Sequence, residues 1–199
     1  SILTFNTMNR PAVIISADVL SWFKFSVVKK ENWQMQISKQ QRDALLRESN
    51  TLLREIHALY SGFDRRFHLR GAEVPVTFGF DTDQLGSYTQ GKDYSEEEFH
   101  FSLLFIGRSL PHPLSKEDRI DLYKHEYAHY MQYNMPIEQK YQWQYGTHGS
   151  AWKYCCSLIG GAPTPLYRAG EGSMEHDYEK ALKKPVSDQT IPVRGVYHR

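Results

Sequence analysis

The stretch Leu122–Asn134, "LYKHEYAHYMQYN", sets His125 and His129 four residues apart, with Glu126 directly after the first histidine. On a helix four residues are just over one turn, so both imidazoles project from one face and can share one metal ion. Glu126 then sits beside His125, close enough to reach a metal-bound water without being a ligand. The competing reading is a tyrosine-rich packing helix whose histidines fall at that spacing by coincidence.

The flanking residues favour the metal. Ser115 is a helix N-cap, Glu117 and Asp118 complement the first turn, and Pro136 stops the element. Ile120, Tyr127 and Met131 form a separate apolar set, so the histidines are not needed to build the packing face. Histidine nitrogens suit zinc, and three protein ligands plus a water describe an open catalytic site.

The third ligand must come from elsewhere. In "YGTHGSAWKYCC", His148 precedes Gly149 and then a helical run with Ala151, Trp152, Cys155 and Ile159, ending at Gly160-Gly161. A ligand at the start of a packed helix is held by that helix's burial, and Gly149 permits close backbone approach. Glu138 is the nearest acidic competitor, although it follows the helix end with little chain for a return. His100, His112 and His176 are weaker candidates.

Outward from this centre, residues 38–60 predict a long helix. Ser38 and Gln41 form a capping-box pattern, Leu45, Leu52, Ile56 and Leu59 form one stripe, and Gly62 is expected to end the element. Strands are predicted at 74–80, 85–89 and 98–103, separated by polar turns, which suggests a small, mostly antiparallel sheet. A further strand is read at 22–27. Residues 162–199 read as a mostly extended tail with a short helix around 174–183. The expected class is α+β, with three main helices, and the expected organisation is an N-terminal extension (1–37), a central domain (38–161) and the tail.

Composition bounds the function. A chain of 199 residues can bury a sizeable core, and a net charge of +1 gives no global pull toward nucleic acid or an anionic membrane. No apolar run approaches the roughly 20 residues needed to cross a bilayer. Cys155 and Cys156 are adjacent and cannot staple distant segments, so buried free thiols and an intracellular setting, cytoplasmic or nuclear, are expected. Basic clusters at Arg65-Arg66, His68 and Arg70, and at Lys180, Lys183 and Lys184, read as solvated surface rather than a DNA patch.

With His125, Glu126, His129 and "His148-Gly149-x-x-Trp152-Lys153" in place, the chain resembles the SprT-like zinc metallopeptidases, which include the Spartan-type DNA–protein crosslink proteases. The upstream order is also similar: a long helix, then "VTFGF", then Leu85-Gly86-Ser87-Tyr88 with an inward glycine, then "FHFSL". The resemblance covers roughly residues 38–161. It implies His125, His129 and His148 as zinc ligands, Glu126 as general base, and a minimal zincin-like fold with its cleft between a sheet edge and the active-site helix. A peptide would bind extended along that edge, placed here near 98–103. Two departures stand out: many SprT-like proteins carry a four-cysteine zinc ribbon, which two adjacent cysteines cannot build, and no DNA-binding module is evident.

The expected activity is zinc-dependent endopeptidase cleavage of proteins or peptides, DNA-crosslinked proteins among them, with Glu126 activating a zinc-bound water. Tyr145 is a candidate oxyanion donor, with Tyr133 and Tyr88 as equals. Two alternatives remain: a non-catalytic zinc-organised module binding peptide or nucleic acid, and a nucleic-acid-binding protein with a coincidental motif. A fourth protein ligand would favour the former, and absence of stoichiometric zinc the latter.

Overall fold

The structure, a computed structural model, describes residues 37–91, 96–111, 113–164 and 178–182. The strand read at 22–27, most of the tail, His112, His176 and the side chains of the Lys180 cluster lie outside the described residues.

Helix α1 spans Lys39–Phe67 and opens with the predicted capping box: Ser38 Oγ accepts from the Gln41 N–H, and the Gln41 side chain accepts from the Ser38 N–H. Its Leu45, Leu52, Ile56 and Tyr60 are buried. The helix does not stop at Gly62, as its sequence suggested, but runs on to Phe67 and ends at His68 in the left-handed conformation. Glycine costs about 1 kcal/mol inside a helix, and tertiary contacts outweigh that here. Phe63 packs on the ring of Tyr127 at 5.0 Å. Asp64 accepts from the N–H groups of Gly71 and Ala72, each at 2.8 Å, and from the Tyr127 hydroxyl.

Three strands follow: β1 (Val76–Gly79), β2 (Gly86–Thr89) and β3 (Glu98–Ser102). Their order is β1-β3-β2, with β1 parallel and β2 antiparallel to β3. The sheet is thus mixed rather than mostly antiparallel, because the two chain reversals between β1 and β3 leave those strands pointing the same way. The order corrects a second expectation. Residues 98–102 are the central strand, buried at Phe99 and Phe101, so the strand near the helical site is β2.

A short helix α2 (Leu103–Ile106) leads on to α3 (Lys116–Asn134), capped by Ser115 Oγ accepting from the Asp118 N–H. Helix α4 (Ser150–Ile159) packs on α3, and α5 (Tyr178–Leu182) falls where a short helix was expected in the tail. The core lies where α1, the inner face of β3, α3 and α4 meet. Tyr60, Phe99, Phe101, Tyr123, Tyr127, Met131 and Trp152 are fully buried there. Cys155 and Cys156 are buried free thiols. No helix among the described residues is long and apolar enough to cross a membrane.

Candidate metal centre

The structure brings His125, His129 and His148 together. The first two project from adjacent turns of α3, as the four-residue spacing requires. His148 arrives from the loop before α4. Their Nε2 atoms form a triangle with edges of 3.3 Å (His125–His129), 3.2 Å (His129–His148) and 3.0 Å (His125–His148).

That triangle fits a metal ion. A tetrahedral ion bound by imidazoles at about 2.0–2.1 Å separates its ligand atoms by roughly 3.3–3.4 Å. Three nitrogens converging on one point cannot all satisfy one another with linear hydrogen bonds, whereas one cation can accept all three lone pairs.

The protonation states agree with that role. Burial and the neighbouring His148 push the His125 pKa down to about 3. Burial, then His125 and His148, hold His129 well below the ordinary histidine range. Burial and Lys153 lower His148 to about 4. All three are therefore neutral at physiological pH, the form that ligates metals.

The loop that delivers His148 is held by Ser150, which is fully buried. Its hydroxyl donates to the Tyr141 carbonyl at 2.7 Å and accepts from the N–H groups of Trp143 and Gln144 at 3.1 and 3.0 Å. Gly149 is required here, since a Cβ at that position would lie 2.3 Å from the Gln144 carbonyl oxygen. Beneath the centre, Trp152 donates from Nε1 to the His125 carbonyl at 3.3 Å. Its ring contacts all three imidazoles, with centroids 4.6 to 5.5 Å apart.

Glu126 is buried and stands outside the nitrogen triangle, facing β2. A Cβ on Gly86 would approach its Oε1 to 3.3 Å and the Phe101 ring to 2.8 Å, so this strand position has no room for a side chain. Burial pushes the Glu126 pKa up to about 8, against the lowering effect of the Tyr88 backbone N–H that donates to it. A cation on the adjacent imidazoles would draw that value down again.

Among the described residues, the alternative ligands Glu138 and His100 are not brought into the cluster. Glu138 is exposed and pairs with Lys140 at 2.9 Å. His100 lies on β3 between Asp81 (2.7 Å) and Thr77 (2.8 Å). Tyr145 and Tyr133 are each 49% exposed, Tyr145 on the His148 loop and Tyr133 on α3. Tyr88 instead hydrogen-bonds Glu97 through its hydroxyl.

Sequence reasoning missed Gln132. One terminal atom of its side-chain amide lies 3.3 Å from His129 Nδ1. An imidazole that ligates through Nε2 carries its proton on Nδ1, so the amide oxygen is the atom that accepts it. Its place one turn beyond His129 was the available signal. Partners that orient a ligating imidazole typically contribute tenfold to a hundredfold in metal affinity. Gln132→Leu is therefore expected to raise the metal Kd about tenfold, measured by competition with a chromophoric chelator, and an unchanged Kd would remove Gln132 from the centre.

Comparison of the chain with protein-family models, with curated proteins and with solved structures returned no match in any of the three.

Proposed function

We propose that this chain is a zinc-dependent endopeptidase of the SprT-like kind, on a minimal zincin-like fold, with His125, His129 and His148 as ligands and Glu126 as general base. The observation that carries this reading is the buried, non-ligating carboxylate of Glu126 held between the imidazole triangle and strand β2. A closed structural site has no use for such a base and usually contains a fourth protein ligand. Among the described residues the metal-ligating cluster contains only the three histidines.

His125, His129 and His148 would hold zinc, which when bound would supply Lewis acidity toward a carbonyl oxygen and acidify the attacking water. The protein's own part is positional. Glu126 takes a proton from the attacking water and returns it to the leaving amine, and the Tyr88 N–H keeps its carboxylate aimed. Trp152 and the α3–α4 packing fix the imidazoles and exclude bulk water from behind them.

Strand β2 supplies the rail for an extended polypeptide. The Ser102 N–H donates to the Leu85 carbonyl at 2.9 Å, so ladder alternation directs Ser87 and Thr89 toward β3. It turns the backbone of Gly86 and Tyr88 away from β3, where the Tyr88 N–H is held by Glu126 and the Gly86 carbonyl accepts from Gln84 Nε2 at 3.2 Å. The Gly86 N–H and the Tyr88 carbonyl are thus the groups that would pair with the polypeptide. Main-chain pairing of this kind binds proteins with little sequence selectivity.

The test measures zinc per chain and cleavage of an unfolded protein by the same preparation, with and without single-stranded DNA. One equivalent of zinc with chelator-sensitive cleavage is expected. Bound zinc with no cleavage under either condition would leave only a metal-organised binding module. Cleavage that needs DNA would identify crosslinked proteins as the substrate class.

A further inference from the structure

Among the described residues, the exposed large apolar side chains are Leu53, Tyr133 and Tyr145. Tyr133 falls seven residues after Glu126 on α3, two turns on along the same stripe. Its ring stacks on Tyr88 of β2, with centroids 6.3 Å apart and planes 29° from parallel. Tyr133 therefore faces the β2 side of the helix, as Glu126 does, while keeping about half its surface open to solvent.

Tyr88 is a fixed wall for that ring. Its hydroxyl bonds the Glu97 carboxylate and accepts from Asn134 Nδ2 at 3.3 Å. Its ring packs on Phe99 at 5.2 Å and edge-on against Tyr130 at 5.8 Å. A rigid aromatic backed by the core, with a second aromatic exposed beside it, makes a shelf at low entropic cost to whatever stacks there.

We infer that Tyr133 and Tyr88 form a subsite for an aromatic side chain of the extended substrate, about three residues from the scissile bond, which gives the cleft a sequence preference. The inference rests on the peptidase reading for the word substrate. The spacing follows from geometry: seven helical residues rise roughly 10.5 Å, and an extended chain covers that distance in about three residues at roughly 3.3 Å each. The occupant is a protein side chain rather than a nucleobase because, among the described residues, the charged group hydrogen-bonded to the shelf is the Glu97 carboxylate. A stacked base would bring phosphates toward that negative charge, whereas nucleic-acid grooves use Lys and Arg.

The test uses the zinc-loaded full chain and peptides that differ only by Phe or Ala at successive positions on both sides of one cleavable bond. Wild type is expected to favour Phe roughly threefold to tenfold in kcat/KM at one position about three residues from the bond. Tyr133→Ala is expected to erase that ratio and Tyr133→Phe to retain it, with zinc content equal in all three. No preference in wild type, or the same preference in Tyr133→Ala, overturns the subsite.

A binding arm separates this claim from the peptidase reading. Fluorescence anisotropy with the Glu126→Gln protein is expected to show the same preference for the Phe peptide, and to lose it when Tyr133→Ala is added. If wild type cleaves nothing and this pattern persists, the peptidase reading fails and the subsite stands. If Tyr133→Ala instead weakens binding of an oligo-dT strand while leaving the peptide ratio intact, the shelf is a base-stacking site and the proposal is wrong.

Discussion

Glu126→Gln is expected to lower kcat/KM for a protein substrate by about 10²- to 10⁴-fold, the range typical for removal of a general acid–base group. Zinc should stay bound. The substitution keeps the shape of the side chain, and the new amide oxygen can still accept from the Tyr88 N–H. It replaces a carboxylate whose charged form is disfavoured by burial with a neutral group, so thermal stability should hold or rise. Parallel measurements of cleavage, zinc content and melting temperature decide the matter. Wild-type turnover in the variant would end the assignment of Glu126 as base, and loss of zinc would show that it helps hold the metal.

The second large effect belongs to His148. His148→Ala removes the one ligand that does not come from α3, leaving two imidazoles where the triangle had three. Metal affinity should fall more than a hundredfold, beyond the tenfold to hundredfold associated with losing an outer partner of a ligand. Stability should follow. Zinc held at a thousandfold over its Kd adds about 4 kcal/mol to a folded protein, and the variant should forfeit most of that. Competition titration and melting with and without chelator give both numbers, and near-wild-type affinity would mean that another residue is the third ligand.

The pH dependence of the metal-free protein tests the same centre, and its sign follows from the depressed histidine pKa values. In the unfolded chain these histidines titrate near 6.5, whereas His125 and His148 do so at about 3 and about 4 when folded. Their contribution is fully present above 6.5 and is lost as pH falls toward 4, at up to about 1.4 kcal/mol per pH unit for each group. Glu126, raised to about 8, works in the opposite direction and offsets one of the three histidines. Metal-free protein should therefore still lose stability as pH drops from 6.5 to 5. A flat profile would mean that the imidazoles are not buried as neutral groups.

Much of this centre was legible because it is local. Two histidines and a glutamate within one helical turn are constrained by the helix alone, and Ser115 and Pro136 fixed where that helix starts and stops. The pairing of His148 with Gly149 and Trp152 was legible for a related reason, because a ligand next to a buried helix start has few places to go. What failed was non-local. Strand order depends on how chain reversals are arranged in space, so residues 98–102 looked like an edge and proved to be the centre of the sheet. Gly62 looked like a stop because propensity speaks only for the isolated helix, while Phe63 and Asp64 find their partners on other segments. The contact between Tyr88 and Glu126 spans two elements, and no periodicity announces it.

The unequal sequence distances among the three ligands have a kinetic consequence. His125 and His129 are prearranged by a single helix, so an arriving ion meets a ready two-point landing. The third point, 19 residues beyond His129, is set by closing a loop, which carries an entropic cost that the helix does not. An ion taken up by all three is therefore expected to engage the helix pair first and the loop histidine last. The Ser150 hydrogen bonds hold that loop in place. Ser150→Ala is therefore expected to speed release of an ion from the three histidines, as read by transfer to a chelator. An unchanged rate would show that the loop clamp does not limit exchange.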